Sequence, residues 1–299
     1  MSHQNMINVR FGFTSAVFSG KLSRMNKYTA STVFILFIAS CMLAGCAVGY
    51  KADRPVLESG GLKVNNILYT PSDMEPGVRY PGVVINHGGS EGVEFATKGW
   101  ARALARKGYV VIMPQFRGQG GSEGQMEFAQ GEVDDSLSAL KYLKGLPYVD
   151  SNRIGMVGYS LGGLITLSAM ERAPEVKAAV LVSSITDPVE FFRHRMKGKM
   201  KGGLPQSGVD MGRHVNQMHE RSPMARVADV NASVLIIHGL EDRMVSPEQA
   251  RLLYSALKAA GKDVELILHP EIGHAVTWYP ETMYEAIGYL DRHIGRTQK

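Results

Sequence analysis

From Leu62 onward the chain switches between short apolar runs and longer segments of mixed polarity. The runs are LKVNNILY (62–69), GVVINH (82–87), YVVIMP (109–114), RIGMVGY (153–159), KAAVLVSS (177–184), SVLIIHG (233–239) and VELILHP (264–270). Most are continuous and rich in Val and Ile, the pattern of strands buried on both faces. Between them, residues 94–107, 132–145, 161–172, 247–260 and 281–293 carry helix-spaced apolar positions. This alternation predicts one α/β domain with a mostly parallel sheet covered by helices on both sides. In such sheets the reactive groups gather at the carboxyl ends of the strands.

Two stretches break the rhythm. The interval of about 187–228 is too long for one crossover and holds the basic string RHRMKGKMKGG, so it reads as a lid-like insertion over the carboxyl edge. Its Phe191, Phe192, Met196 and Met200 are candidates for an apolar pocket wall, or for packing of the insertion onto the domain. The other stretch is the leader. Lys21, Arg24 and Lys27 precede the apolar run Val33–Val48, which is short of the roughly 20 residues a spanning helix needs and has the form of an export signal. A start at Met25 would give a leader of ordinary length. Residues 46–61 read as a tether and 62–299 as the domain.

Composition changes the picture in two ways. Of the formal net charge of +5, four units come from Arg10, Lys21, Arg24 and Lys27 in a leader without Asp or Glu, leaving +1 for residues 46–299. The basic balance therefore makes no case for nucleic acid. The two cysteines, Cys41 and Cys46, both lie in or at the end of the leader. A processed chain then has no disulfide frame, no thiol nucleophile and no zinc-type spacing, and no metal or cofactor is implied.

Chemistry enters with GYSLG, Gly158 to Gly162, placed after a buried strand and before a helix. That context is a nucleophile elbow, a strained turn that exposes the hydroxyl of Ser160 at a helix N-terminus. A serine hydroxyl is a weak nucleophile, so it needs a base, and the base needs an orienting acid. Chain order puts the acid next and the histidine last. HGLEDRMVSPEQA offers Asp242, with Glu241 and Asp187 as competitors. HPEIGHAV offers His274, preferred over His238 and His269, which end strands, over His194, His214 and His219 in the insertion, and over His293 in the last helix. The oxyanion donors are then the backbone N–H of Leu161 and one from NHGGSEG (86–92), where Gly89 is favoured beside Gly88 and Ser90.

NHGG, FRGQGGSEG (116–124), GYSLGG, HGLEDRMVSPEQ and GH resemble, in order and spacing, the motifs of the α/β-hydrolase superfamily. RSPMARVADVNASVLIIHG (221–239) is similar to the approach to the acid loop in prolyl-oligopeptidase-type enzymes, and the whole also resembles dienelactone-hydrolase-like proteins. The resemblance implies an α/β-hydrolase fold, a Ser160–Asp242–His274 triad and cofactor-free hydrolysis through an acyl-enzyme. Dienelactone hydrolases use cysteine where this elbow holds serine, and no room exists between Cys46 and Pro81 for the large propeller of oligopeptidases. A small ester is accordingly the first expected substrate and a short peptide the alternative. LAGC, Leu43–Cys46, resembles a bacterial lipobox, which implies a lipid anchor on Cys46, cleavage before it, and a place on a cell-envelope membrane. The expectation from another class is a non-catalytic, lipid-anchored binding protein.

Overall fold

The computed structural model describes residues 49–89, 95–197 and 222–295. Among the described residues nine strands and six helices follow in chain order: β1 (Tyr50–Asp53), β2 (Val56–Ser59), β3 (Leu62–Pro71), β4 (Tyr80–Asn86), α1 (Phe95–Arg106), β5 (Val110–Pro114), α2 (Gly131–Gly145), β6 (Val149–Tyr159), α3 (Leu161–Met170), β7 (Val176–Val182), α4 (Pro188–Lys197), β8 (Ser233–Gly239), α5 (Pro247–Ala259), β9 (Val264–His269) and α6 (Pro280–Ile294). Short 3₁₀ turns lie at Pro223–Asp229 and Val276–Trp278.

The strand order is β1-β3-β5-β4-β6-β7-β8-β9, with β2 paired to β3. From β5 to β9 every neighbouring pair is parallel, while β3 runs antiparallel to β5 and to β1 and β2. The continuous apolar runs are explained by two cores, one on each face. Val84, Ile112, Leu181 and Ile236 pack with Leu140 of α2, Ile165 of α3 and Leu253 of α5. Their chain neighbours Val83, Val111, Val182 and Ile237 face the other way, onto Leu104 of α1 and Ile287 of α6. Period-2 alternation is present but hidden, because both faces are dry.

The structure departs from expectation at the amino end. Residues 50–59, expected within a tether of 46–61, form β1 and β2 on the edge of the sheet. Tyr50 sets its ring edge-on to Tyr69 at 5.6 Å, and the Asn66 N–H donates to Pro55 O at 2.9 Å. The other three residues of β1 are exposed, so no apolar alternation marks it. Of the insertion, α4 and the 3₁₀ turn at 223–229 are described; Met200 and residues 198–221 lie outside the described residues, as do the side chain of Met196, the leader and Cys46.

Candidate active site

Ser160 sits between β6 and α3 with φ 55° and ψ −117°, a backbone conformation that costs a non-glycine residue energy and is held only by its surroundings. Here β7 supplies the hold. The Ser160 N–H donates to Val182 O at 3.0 Å, and Ser160 O accepts from the N–H groups of Ile185 and Gly163, both at 3.0 Å. The glycines of the elbow are there for clearance. A Cβ on Gly162 would lie 2.0 Å from Asn86 O, and one on Gly158 would lie 2.5 Å from Gly162 O.

Asp242 and His274 occupy loops after β8 and β9, at the same carboxyl edge as Ser160. His274 Nε2 is 3.1 Å from Ser160 Oγ, and His274 Nδ1 is 2.7 Å from Asp242 Oδ2. Because Nδ1 faces a carboxylate, it carries the proton and leaves Nε2 free to accept from the serine. Gly239 brings the two loops together: a Cβ there would lie 2.1 Å from Ile272 O. The Glu241 N–H donates to Ile272 O at 3.0 Å, tying the acid loop to the histidine loop. The competing acids are accounted for. Glu241 is exposed, and Asp187 Oδ1 accepts the N–H groups of Val189 and Glu190, capping α4.

The carboxylate of Asp242 is fully employed. Its Oδ1 accepts the N–H groups of Met244 and Val245, both at 2.9 Å, while Oδ2 takes His274 and also His238 Nε2 at 3.2 Å. Burial pushes its pKa up, but the hydrogen bonds from His238 and His274 outweigh burial and hold it well below the ordinary carboxylate value. Two residues at this site have roles that escape sequence reasoning, which weighed His238 only as a rival to His274 and set it aside as a strand end. One is His238, which also reaches Val245 O at 3.1 Å; both neighbours of its Nε2 are acceptors, so that nitrogen carries a proton. The other is Tyr159, whose hydroxyl donates to His274 O at 3.1 Å and whose ring lies 5.4 Å from the imidazole.

The loop after β4 runs against the nucleophile. A Cβ on Gly88 would lie 2.9 Å from Ser160 Cβ and 3.0 Å from Tyr159 O. Gly89, at φ 70°, follows it and is exposed, whereas Ser90 lies outside the described residues. His87 is buried, packs its ring against Phe116 at 4.7 Å with the planes tilted by 38°, and directs Nδ1 to Gly88 O at 2.8 Å. Leu161 is the first residue of α3, so its N–H has no partner within the helix. Among the described residues no three His, Cys, Asp or Glu side chains are grouped to hold a metal ion.

The chain is 31% identical over 230 residues to Uncharacterized peptidase YtmA of Bacillus subtilis (strain 168), covering 75% of this chain and 82% of that one. Its fold superposes on the acylaminoacyl peptidase of Pyrococcus horikoshii with a TM-score of 0.73 at 19% identity, over 87% of this chain and 44% of that one. An esterase of Pyrococcus furiosus is matched with a TM-score of 0.66 at 20% identity, over 82% of this chain and 94% of that one. The chain thus spans most of YtmA but under half of the acylaminoacyl peptidase. The family model described as the prolyl oligopeptidase family matches residues 96–295. The chain is a serine hydrolase with the α/β-hydrolase fold and belongs to the prolyl oligopeptidase family.

Proposed function

We propose that Ser160, His274 and Asp242 act as nucleophile, general base and orienting acid in hydrolysing small acyl esters. The observation that carries this is the unbroken relay Ser160 Oγ–His274–Asp242 at 3.1 and 2.7 Å. Ser160 Oγ bonds to the carbonyl carbon as its proton passes to His274 Nε2. The developing oxyanion takes the N–H groups of Leu161 and Gly89, and Asp242 holds the imidazolium through Nδ1. Collapse breaks the bond to the leaving group, which takes the proton from Nε2. Water then repeats the sequence on the acyl-enzyme, releasing the acid and returning the proton to Ser160. Phe128, Phe191 and Phe192 pack together at 5.0 to 6.3 Å between centroids and serve as an apolar wall for the acyl group.

A second reading, cleavage of short peptides, is favoured by family membership and by the peptidase name of the B. subtilis relative. We assign both substrates to one acyl-enzyme route. The chain is further proposed to be exported, started at Met25, cleaved before Cys46 and lipid-anchored there to a bacterial cell-envelope membrane.

The test is fluorophosphonate labelling of the purified protein beside Ser160→Ala and His274→Ala. Labelling of the parent alone, with turnover reduced at least 10⁴-fold in the variants, is expected. A folded parent that takes no label points instead to a binding protein. Short-chain esters set against aminoacyl-anilides then separate the two substrate readings.

A further inference from the structure

The following rests on the anchored reading of Cys46. The described fold begins at Gly49, three residues later, so a lipid on Cys46 is held within about 11 Å of Gly49. Gly49 has a fixed place: its carbonyl accepts the Ser72 N–H at 3.1 Å, and Tyr50 pairs with Pro71 at the end of β3. Because β3 runs antiparallel to β5, with Tyr69 opposite Val111, this end of β3 lies beyond the amino ends of the parallel strands. Ser160, Asp242 and His274 follow the carboxyl ends of β6, β8 and β9. The register from Tyr69 through Val111 and Val83 to Gly155 sets the anchor edge roughly 20 Å from Ser160 along the strands, at about 3.3 Å per residue.

The same edge is basic. The ring of Tyr50 carries the guanidinium of Arg106 at 5.0 Å from its centroid and that of Arg102 at 5.8 Å. Arg102 Nε is buried there without a hydrogen-bond partner. Lys51 and Arg54, on and just after β1, are exposed, as is Lys107, which reaches Asp291 at 3.6 Å. The opposing carboxylates along β1 and the end of β3 are Asp53 and Asp73. Guanidinium groups offer paired N–H donors that match phosphate oxygens.

We propose that β1 and the carboxyl end of α1 rest on the anionic phospholipid headgroups of the bilayer that holds the anchor, so that the active-site mouth opens away from the bilayer and takes its substrate from the aqueous side. The substrate is then a water-soluble ester or peptide and not a bilayer lipid.

The chain's cysteines are Cys41 and Cys46, so an introduced cysteine gives the processed protein a single free thiol. Ala52→Cys reports on β1 and Met244→Cys on the rim of the site; both positions are exposed. Each is labelled with a fluorophore in the full chain, expressed with its leader and reconstituted in vesicles of phosphatidylcholine and one-third phosphatidylglycerol carrying nitroxide-lipid quenchers. At least threefold stronger quenching at position 52 than at 244 is expected. It should fall when phosphatidylglycerol is replaced by phosphatidylcholine, or when Arg102→Gln and Arg106→Gln are combined. Equal quenching, or stronger quenching at 244, overturns the orientation, and quenching at 52 that ignores both changes overturns the headgroup contact. The parent chain is the control. Taking up label would mean that Cys46 is free, and the anchored reading would fall with everything built on it; a parent without label, yet with 244 quenched, sinks the orientation alone.

Discussion

Asp242 shows how much a single side chain decides at this site. Each of its oxygens has two donors, so it has no reason to rotate away from His274 or to take up a proton. His238 supplies one of those donors from the strand beneath. His238→Phe keeps the ring volume and removes the donor. It should lower kcat/KM about tenfold, the worth of one hydrogen bond to a charged group. It should also move the acid limb of the pH–rate profile upward, because a less satisfied carboxylate grips the imidazolium harder. His238→Gln keeps an N–H in reach and should restore most of both. A purely structural histidine would alter stability and leave the acid limb in place. Gly88→Ala is the complementary change on the other side of the nucleophile. Its Cβ would meet Ser160 Cβ at 2.9 Å and the Tyr159 carbonyl at 3.0 Å, so turnover should fall about 10²-fold with the protein still folded. A variant that retains parental rates would show that the loop can retreat without cost.

At the scale of elements, the strands from β3 to β9 and every helix but α4 were legible, because the central strands are buried on both faces and the helices between them carry helix-spaced apolar positions, whereas α4 lay hidden in the insertion. The positions of Ser160, Asp242 and His274 were legible because each stands at the end of such a strand. What stayed hidden was set by partners remote in sequence. β1 leaves three of its four residues exposed and pairs only because β3 offers an edge. The FRGQGGSEG segment marks a resemblance without disclosing its role, which lies in Arg117. That side chain is buried and reaches both oxygens of Asp135 in α2 at 2.8 to 3.3 Å, with Glu127 at 3.3 Å. A Cβ on Gly131 would fall inside the Arg117 guanidinium, so α2 must begin on a glycine for the pair to form. Asp135→Ala leaves that guanidinium buried and partly unpaired. It should cost about 3–5 kcal/mol in denaturant unfolding, and Arg117→Met combined with Asp135→Leu should recover part of the loss. A double variant no better than Asp135→Ala would mean that the pair does more than neutralise itself.

For the molecule as a whole, the loops of the site hang on the ends of the same buried strands that carry its stability, and His87 couples the two. It lies at the end of β4, fully buried, and its Nδ1 pins the Gly88 carbonyl. In a planar trans peptide the N–H points opposite to the C=O, so the Gly89 N–H is fixed by the same contact. Burial lowers the pKa of His87 from 6.5 to about 4, opposed by the Gly88 carbonyl and aided by the nearby charge of Lys98. Above 6.5 neither the folded nor the unfolded chain protonates this ring. Between 6.5 and about 4 only the unfolded chain does, so this group's share of stability is full above 6.5 and falls as the pH drops. The loss amounts to about 3 kcal/mol across that window. Urea unfolding at half-unit steps from pH 7 to 4 should show that decline, and His87→Phe, which keeps a ring against Phe116 and cannot titrate, should remove it. The same variant frees the Gly88 carbonyl, so it should lose turnover even at pH 7, where protonation plays no part. An unchanged slope in His87→Phe would place the acid sensitivity in other groups, whereas a flat slope with parental turnover would separate the stability of β4 from the aim of the Gly89 amide.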